Sequence, residues 1–243
     1  MSANGFPSLK HDSMPVIAIL GVGPGEMGRA IAKTFGARGF RVALVSPSPL
    51  ELDPIVADLI DDGIVATAVR ADVLDHASIA SGLTEVKQRL GHIDVLEFSP
   101  SDAMPARVSA TELTHENVQL QIDVYVHGAL AAVNQVLPDM LARGSGTIIF
   151  TTGAAALYPL PMFANAGAAM AWLRNWAHAL HAAVASSGVQ VGVVAIGARV
   201  GRQSGATPEA IARLYWELHR KHEQVEKVFL LDVAEWLLEA HVR

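Results

Sequence analysis

The chain of 243 residues contains no cysteine. That absence excludes a disulfide framework, a thiolate zinc site, an iron–sulfur cluster and a cysteine nucleophile. Charge is also scarce: 17% of residues are Asp, Glu, Lys or Arg, against about 25% in an average soluble domain. What charge there is has the wrong sign for a polyanionic partner. With 24 acidic and 18 basic residues the formal net charge is −6, which argues against a nucleic-acid binder or a binder of anionic membranes. Only three tyrosines are present, Tyr125, Tyr158 and Tyr215, and none has a lysine four residues on.

No hydrophobic run reads as a membrane span. Gly144 to Leu173 carries no formal charge, but Gly146, Gly153, Pro159, Pro161 and Gly167 interrupt it, and lipid does not tolerate irregular backbone. Residues 1–14 (MSANGFPSLKHDSM) are polar, without the apolar core of a signal peptide, and read as a disordered tail. The expectation is a cytoplasmic protein with no membrane partner. Residues 15–243 read as one domain.

What the sequence does have is a strand–helix alternation. Apolar runs at Val16–Leu20, Arg41–Val45, Ile64–Val69, Ile93–Leu96, Gly146–Phe150 and Val189–Ile196 are spaced as six strands buried on both faces. Helical patterns fall between them, at Arg29–Gly39, Asp53–Gly63, Ser78–Leu90, Asn117–Leu141 (with Pro138 disturbing its last turn) and Ala164–Ala185. Residues 202–225 break the rhythm, and a last helix is expected over Asp232–Ala240. The fold class is therefore α/β: a single-domain, doubly wound, Rossmann-like parallel sheet with helices on both faces. Between Gly144 and Ala198 the only formal charge is Arg174, and the helix there is apolar nearly all round. Covering both of its sides calls for a second subunit, so a homodimer or homotetramer is expected.

The first strand runs into Gly21-Val22-Gly23-Pro24-Gly25-Glu26-Met27-Gly28 and then a helix. Gly23-x-Gly25-x-x-Gly28 matches the dinucleotide fingerprint, in which glycines let the backbone approach a pyrophosphate held at a helix N-terminus. Gly21, Gly23, Gly25, Met27 and Gly28 are therefore candidate cofactor residues, although the Glu26 carboxylate opposes a phosphate unless it points outward. The second strand ends in Ser46-Pro47-Ser48-Pro49, with no acid to take a ribose diol. NAD(P)(H) is the expected cofactor, with NADP slightly preferred through Ser46 and Ser48. The pairs His178/His181 and His219/His222 lack a third ligand nearby, so no metal is expected.

The segments "GPGEMGRAIAKTFGARGFRVALV", "RADVLD", "GHIDVLEFSPS", "LAAVNQVLPDMLARGSGTIIFTTG" and "AHALHAAVASSGVQVGVVAIG" resemble the short-chain dehydrogenase/reductase (SDR) superfamily in order and spacing, from Val16 onward. The resemblance implies the SDR type of Rossmann fold, with Asp72 and Val73 contacting adenine and residues 202–225 as a variable, lid-like segment. The family's hydride chemistry uses a Tyr, a Lys four residues later, a Ser and an Asn. At the matching positions this chain has Phe163, Gly167, Gly153 and Tyr125. Phenylalanine has no proton to give, and glycine perturbs no pKa.

The candidates to replace that set are Tyr125, Thr152 and Tyr158, with Ser99, Ser101, Thr151, Asn165 and His127 also near the expected cleft. The expected activity is an atypical NAD(P)(H)-dependent reduction or oxidation of a small, largely apolar carbonyl or alcohol. The alternatives are a catalytically silent nucleotide- or ligand-binding homologue, or a non-redox lyase, isomerase or cyclase.

Overall fold

Alternating apolar strands and amphipathic helices build one sheet between two helical layers. In a computed structural model of the chain, the structure describes residues 14–23, 25–100, 106–221 and 224–231. Most of the expected tail, together with Pro24, Ser101, His222 and the expected helix 232–240, lies outside the described residues.

The elements run β1 (Val16–Leu20), α1 (Glu26–Gly36), β2 (Arg41–Ser46), α2 (Asp53–Asp61), β3 (Ala66–Arg70), α3 (His76–Leu90) and β4 (Val95–Phe98). They continue as α4 (His115–Ile122), α5 (Gly128–Arg143), β5 (Gly146–Gly153), α6 (Ala164–Val184), β6 (Val189–Gly197), α7 (Pro208–Arg220) and β7 (Glu226–Leu230). Seven strands form one parallel sheet in the order β3-β2-β1-β4-β5-β6-β7. The order reverses between β1 and β4, which opens a crevice at the carboxyl ends of those strands, the usual ligand position in such sheets. One core lies under α3, α5 and α6, through Leu83, Val136, Met170 and Leu173. The other lies under α1 and α7, through Ile31, Phe35, Ile211 and Tyr215.

Four differences from the expectations matter. First, β4 lies two residues later than expected, so Glu97 falls inside it, in register with Ile19 of β1 and Ile149 of β5. Second, the long helix over 117–141 is two helices joined by a π-helical turn, Asp123–His127. Pro138 does not end α5. It is exposed, so the Asn134 carbonyl it leaves unpaired is on the solvated side. Third, residues 202–225 hold α7, docked on the sheet through Ile211, Ala212, Tyr215 and Leu218. Fourth, a seventh strand follows it. Glu226 at the start of β7 takes a forked pair from Arg174 Nε and Nη2, which gives the lone charge of the apolar stretch its partner. α6 therefore faces the core on one side and the sheet edge on another, leaving a third face exposed at Trp172, whose ring lies tilted against Trp176.

Candidate active site

The turn from β1 into α1 shows what each loop glycine is for. Gly21 has φ +91, and a Cβ there would lie 2.5 Å from Pro100 Cα, so its bareness serves the fold. Gly28 lacks a side chain because Val22 packs where it would be, 2.7 Å away. Gly25 has an ordinary φ of −72, and among the described residues a Cβ on it would meet nothing within 4 Å. As N-cap of α1 it supplies no side-chain cap, so the first-turn N–H groups keep their donors for another partner.

Those groups face a cavity of about 590 Å³. Its walls combine Gly23, Gly25, Glu26, Met27 and Gly28 with Ser99 after β4, Thr151 of β5, and Ile196, Val200, Gly201 and Arg202 beyond β6. Tyr215 of α7 closes the floor. Arg202 is exposed at the mouth. Glu26 is exposed too, and its Oε2 lies 3.3 Å from where a Gly201 side chain would start, so the carboxylate reaches sideways to the Gly201 turn.

Beneath the cavity lies a carboxyl that sequence reasoning missed. Glu97 is 0% exposed. Ser99 Oγ donates to its Oε2 at 3.0 Å and Thr151 Oγ1 donates to its Oε1 at 2.6 Å. Thr151 Oγ1 is also 2.7 Å from Tyr215 Oη. Burial pushes Glu97 up from 4.5 to about 7, against smaller lowering by the two hydroxyls. Burial also raises Tyr215 well above the ordinary phenol value, with the neighbouring Glu97 charge adding to it. The signal that could have found Glu97 is a lone acid in an otherwise apolar parallel strand.

Of the candidate cofactor residues, Gly23, Gly25, Met27 and Gly28 line the cavity, whereas Gly21, Ser46, Asp72 and Val73 do not. Ser46 Oγ, at the end of β2, accepts the Ser48 N–H at 3.3 Å. Asp72 Oδ1 accepts the Leu74 N–H at 2.9 Å, and Val73 is buried in the core.

None of the three candidate catalytic residues lines the cavity. Tyr125 is carried by the π turn into the α3–α5–α6 core, where it is 3% exposed, and burial pushes its phenol up. Thr152 is buried, and its Oγ1 has no hydrogen-bond partner among the described residues. Tyr158 lies exposed in the loop after β5. From the wider set, the structure brings Ser99 and Thr151 to the cavity.

The positions that the family resemblance matches to the catalytic set are closely packed. A Cβ at Gly153 would meet Met170 Sδ at 3.3 Å, and one at Gly167 would meet the Ala155 carbonyl oxygen at 3.1 Å. Phe163 is covered by the Arg107 guanidinium, 4.9 Å from its ring centre. Asn165, fully buried, accepts the Val108 N–H and donates to the Ala106 carbonyl, tying residues 106–108 to the start of α6.

A family model described as short chain dehydrogenase matches residues 15–209. Among curated relatives, the oxidoreductase UcpA of Escherichia coli is 33% identical over 124 residues, 51% of this chain and 46% of that protein. The chain thus spans about half the length of that relative. An uncharacterized oxidoreductase of Staphylococcus epidermidis is 29% identical over 72% of this chain and 74% of its own. Among solved structures, a short-chain dehydrogenase from Rhodopseudomonas palustris superposes with a TM-score of 0.79 at 22% identity, covering 90% of this chain and 99% of that one. A metagenomic short-chain oxidoreductase in complex with NADP gives 0.76 at 21%, covering 88% and 96%. Both solved structures share the fold. With the glycine turn, the sheet order and a family match over most of its length, this chain belongs to the short-chain dehydrogenase family.

Proposed function

We propose that this protein binds a nicotinamide dinucleotide at the α1 N-terminus and exchanges hydride with a small, largely apolar carbonyl or alcohol, without a Ser–Tyr–Lys set. The observation that carries the reading is Gly25. Among the described residues neither its backbone angles nor its packing requires glycine, yet it lines the cavity at a helix end with no side-chain cap. A pyrophosphate close to that backbone supplies the reason.

The residues present fit such a group. The N–H groups of the Gly25–Gly28 turn hold the pyrophosphate, and Arg202 across the cavity balances its charge. Met27, Ile196 and Val200 offer apolar walls to a flat ring. At the adenosine end, Ser46 lies in register with Arg70 of β3, an exposed cation that favours a 2′-phosphate and hence NADP. Asp72 and Val73 take the adenine, as the family resemblance implies. When bound, the nicotinamide supplies or accepts the hydride. The chain orients it, excludes water, and handles the accompanying proton at the cavity hydroxyls of Ser99 and Thr151.

Calorimetric titration with NADPH and NADH at low salt tests this. Micromolar binding, tighter for NADPH, is expected, and no binding at millimolar dinucleotide contradicts it.

A second reading, a catalytically silent dinucleotide-binding homologue, is favoured by the packing of Met170 on Gly153 and of Ala155 on Gly167. Dinucleotide oxidation across a panel of small aldehydes and ketones separates the two: the first reading expects turnover and the second none. The exposed face of α6, with Trp172 41% exposed, supports a homodimer or homotetramer, and sedimentation at micromolar concentration reads the mass.

A further inference from the structure

Glu97 has no structural excuse. It sits in a central strand between Ile19 and Ile149, a place an aliphatic side chain fills at no electrostatic cost. Buried structural carboxylates are ordinarily paired with a cation or held by several N–H donors. Among the described residues no cation pairs with Glu97, and its partners are two neutral hydroxyls. Both of the residues that carry those hydroxyls line the cavity, as does Tyr215 behind Thr151, while Glu97 does not. The carboxyl is therefore one hydroxyl away from the cavity on each of its oxygens. Among the described residues the ionisable groups around it are few: Tyr215 from α7, and the exposed Glu26 and Arg202 on the cavity wall. The neighbours from β1 and β5 contribute none.

This arrangement makes the hydrogen-bond character of the cavity depend on one proton. A carboxylate accepts from both Ser99 and Thr151, so both hydroxyl hydrogens point inward and the cavity meets lone pairs. A protonated Glu97 must itself donate to one of them, and that hydroxyl then turns its own hydrogen outward. Both states are populated near neutrality, because burial holds the group at about 7. An anion entering the cavity disfavours the carboxylate and draws in a proton.

We propose that Glu97 is the proton store of this cavity and Ser99 its outlet: dinucleotide binding loads Glu97 with a proton, which passes through Ser99 to an oxygen of the molecule reduced there. The proposal rests on the dinucleotide reading above. In the transfer, the Glu97 Oε2–H bond breaks as a new Ser99 Oγ–H bond forms. The hydrogen Ser99 held before moves to the substrate carbonyl oxygen, whose carbon gains the hydride of a dihydronicotinamide. Ser99 ends unchanged, Glu97 ends as carboxylate, and the next loading takes its proton from solvent. Alcohol oxidation runs the same path in reverse.

The test titrates the full chain and E97Q with NADPH calorimetrically between pH 6 and 8.5, in buffers of differing ionisation enthalpy. The variant accounts for protons taken by the ligand's own phosphate and by histidines. The wild type should take up between about half and three-quarters of a proton more than E97Q at pH 7.5. Its affinity should weaken by up to about tenfold per pH unit above 7, relative to the variant. Equal uptake by the two proteins overturns the proposal while leaving the dinucleotide reading intact. Absence of any binding removes that reading and the proposal with it. If E97Q does not fold, the NADPH-induced infrared difference spectrum of the wild type decides. A protonated-carboxyl band that grows at pH 7.5 is the expected result, and an unchanged band overturns the proposal.

Discussion

Gly21 and Pro100 are in backbone contact: a Cβ on Gly21 would stand 2.5 Å from Pro100 Cα. The β1–α1 turn and the end of β4 are thus locked together before any ligand enters. Gly21→Ala combines that clash with a positive φ, and should destabilise the protein by about 3 kcal/mol or more. Gly25→Ala should change stability by less than about 0.5 kcal/mol, because its Cβ enters open space at an allowed φ. Denaturant unfolding of the two variants checks the division. Equal losses would mean that Gly25 is also a folding glycine.

Glu97 makes stability depend on pH in an unusual direction. Its folded pKa is raised from 4.5 to about 7, so between those values the native state holds a proton that the unfolded chain has released. Stability from this group is present below about 4.5 and is lost as pH rises to about 7. The loss is roughly 3 kcal/mol. E97Q has no such loss. Urea unfolding should show E97Q gaining on the wild type by roughly that amount between pH 4.5 and pH 8. A constant difference across the range would contradict the burial of an ionisable carboxyl here.

Asn165 holds residues 106–108 to α6 through Val108 N–H and the Ala106 carbonyl, and its Oδ1 also accepts the Ala166 N–H at 2.8 Å. Asn165→Ala removes these bonds from a buried side chain and should cost roughly 1–3 kcal/mol. Hydrogen exchange at the Val108 amide should accelerate more than the global loss accounts for. Exchange that tracks global unfolding alone would show that the segment is held by something else.

Returning the family's lysine should not be neutral. A side chain at position 167 starts 3.1 Å from the Ala155 carbonyl oxygen, which is backbone and must move. Gly167→Lys is expected to lower stability by about 1–3 kcal/mol in thermal or urea unfolding. An unchanged midpoint would mean that the turn after β5 gives way freely.

The sheet was legible because each of its first six strands carries an apolar run between turn residues. β7 was not, since Glu226–Leu230 lies half-buried at the edge, with Glu226 and Lys227 in place of such a run. The glycine turn was legible as a ligand loop, but not the division of labour inside it, which depends on Pro100 and Val22 lying against Gly21 and Gly28. Glu97 fell just outside the expected strand Ile93–Leu96, and a lone acid beside an apolar run does not reveal its partners. Those partners are Ser99, two residues on, Thr151 on the next strand, and Tyr215 on a helix whose charged neighbours read as solvated. Tyr125 stood where relatives face the site, yet the π turn takes it into the core, and no local pattern foretells that turn.

A dinucleotide held at the α1 N-terminus, beside Gly25, underlies the proposed hydride exchange. The most direct measurement is calorimetric titration of NADPH into the wild type and Gly25→Val at low salt. Micromolar binding by the wild type, weakened at least about tenfold in a variant of unchanged stability, is the predicted result. A wild type that binds nothing at millimolar NADPH, or a variant that binds as well as the wild type, would contradict the account.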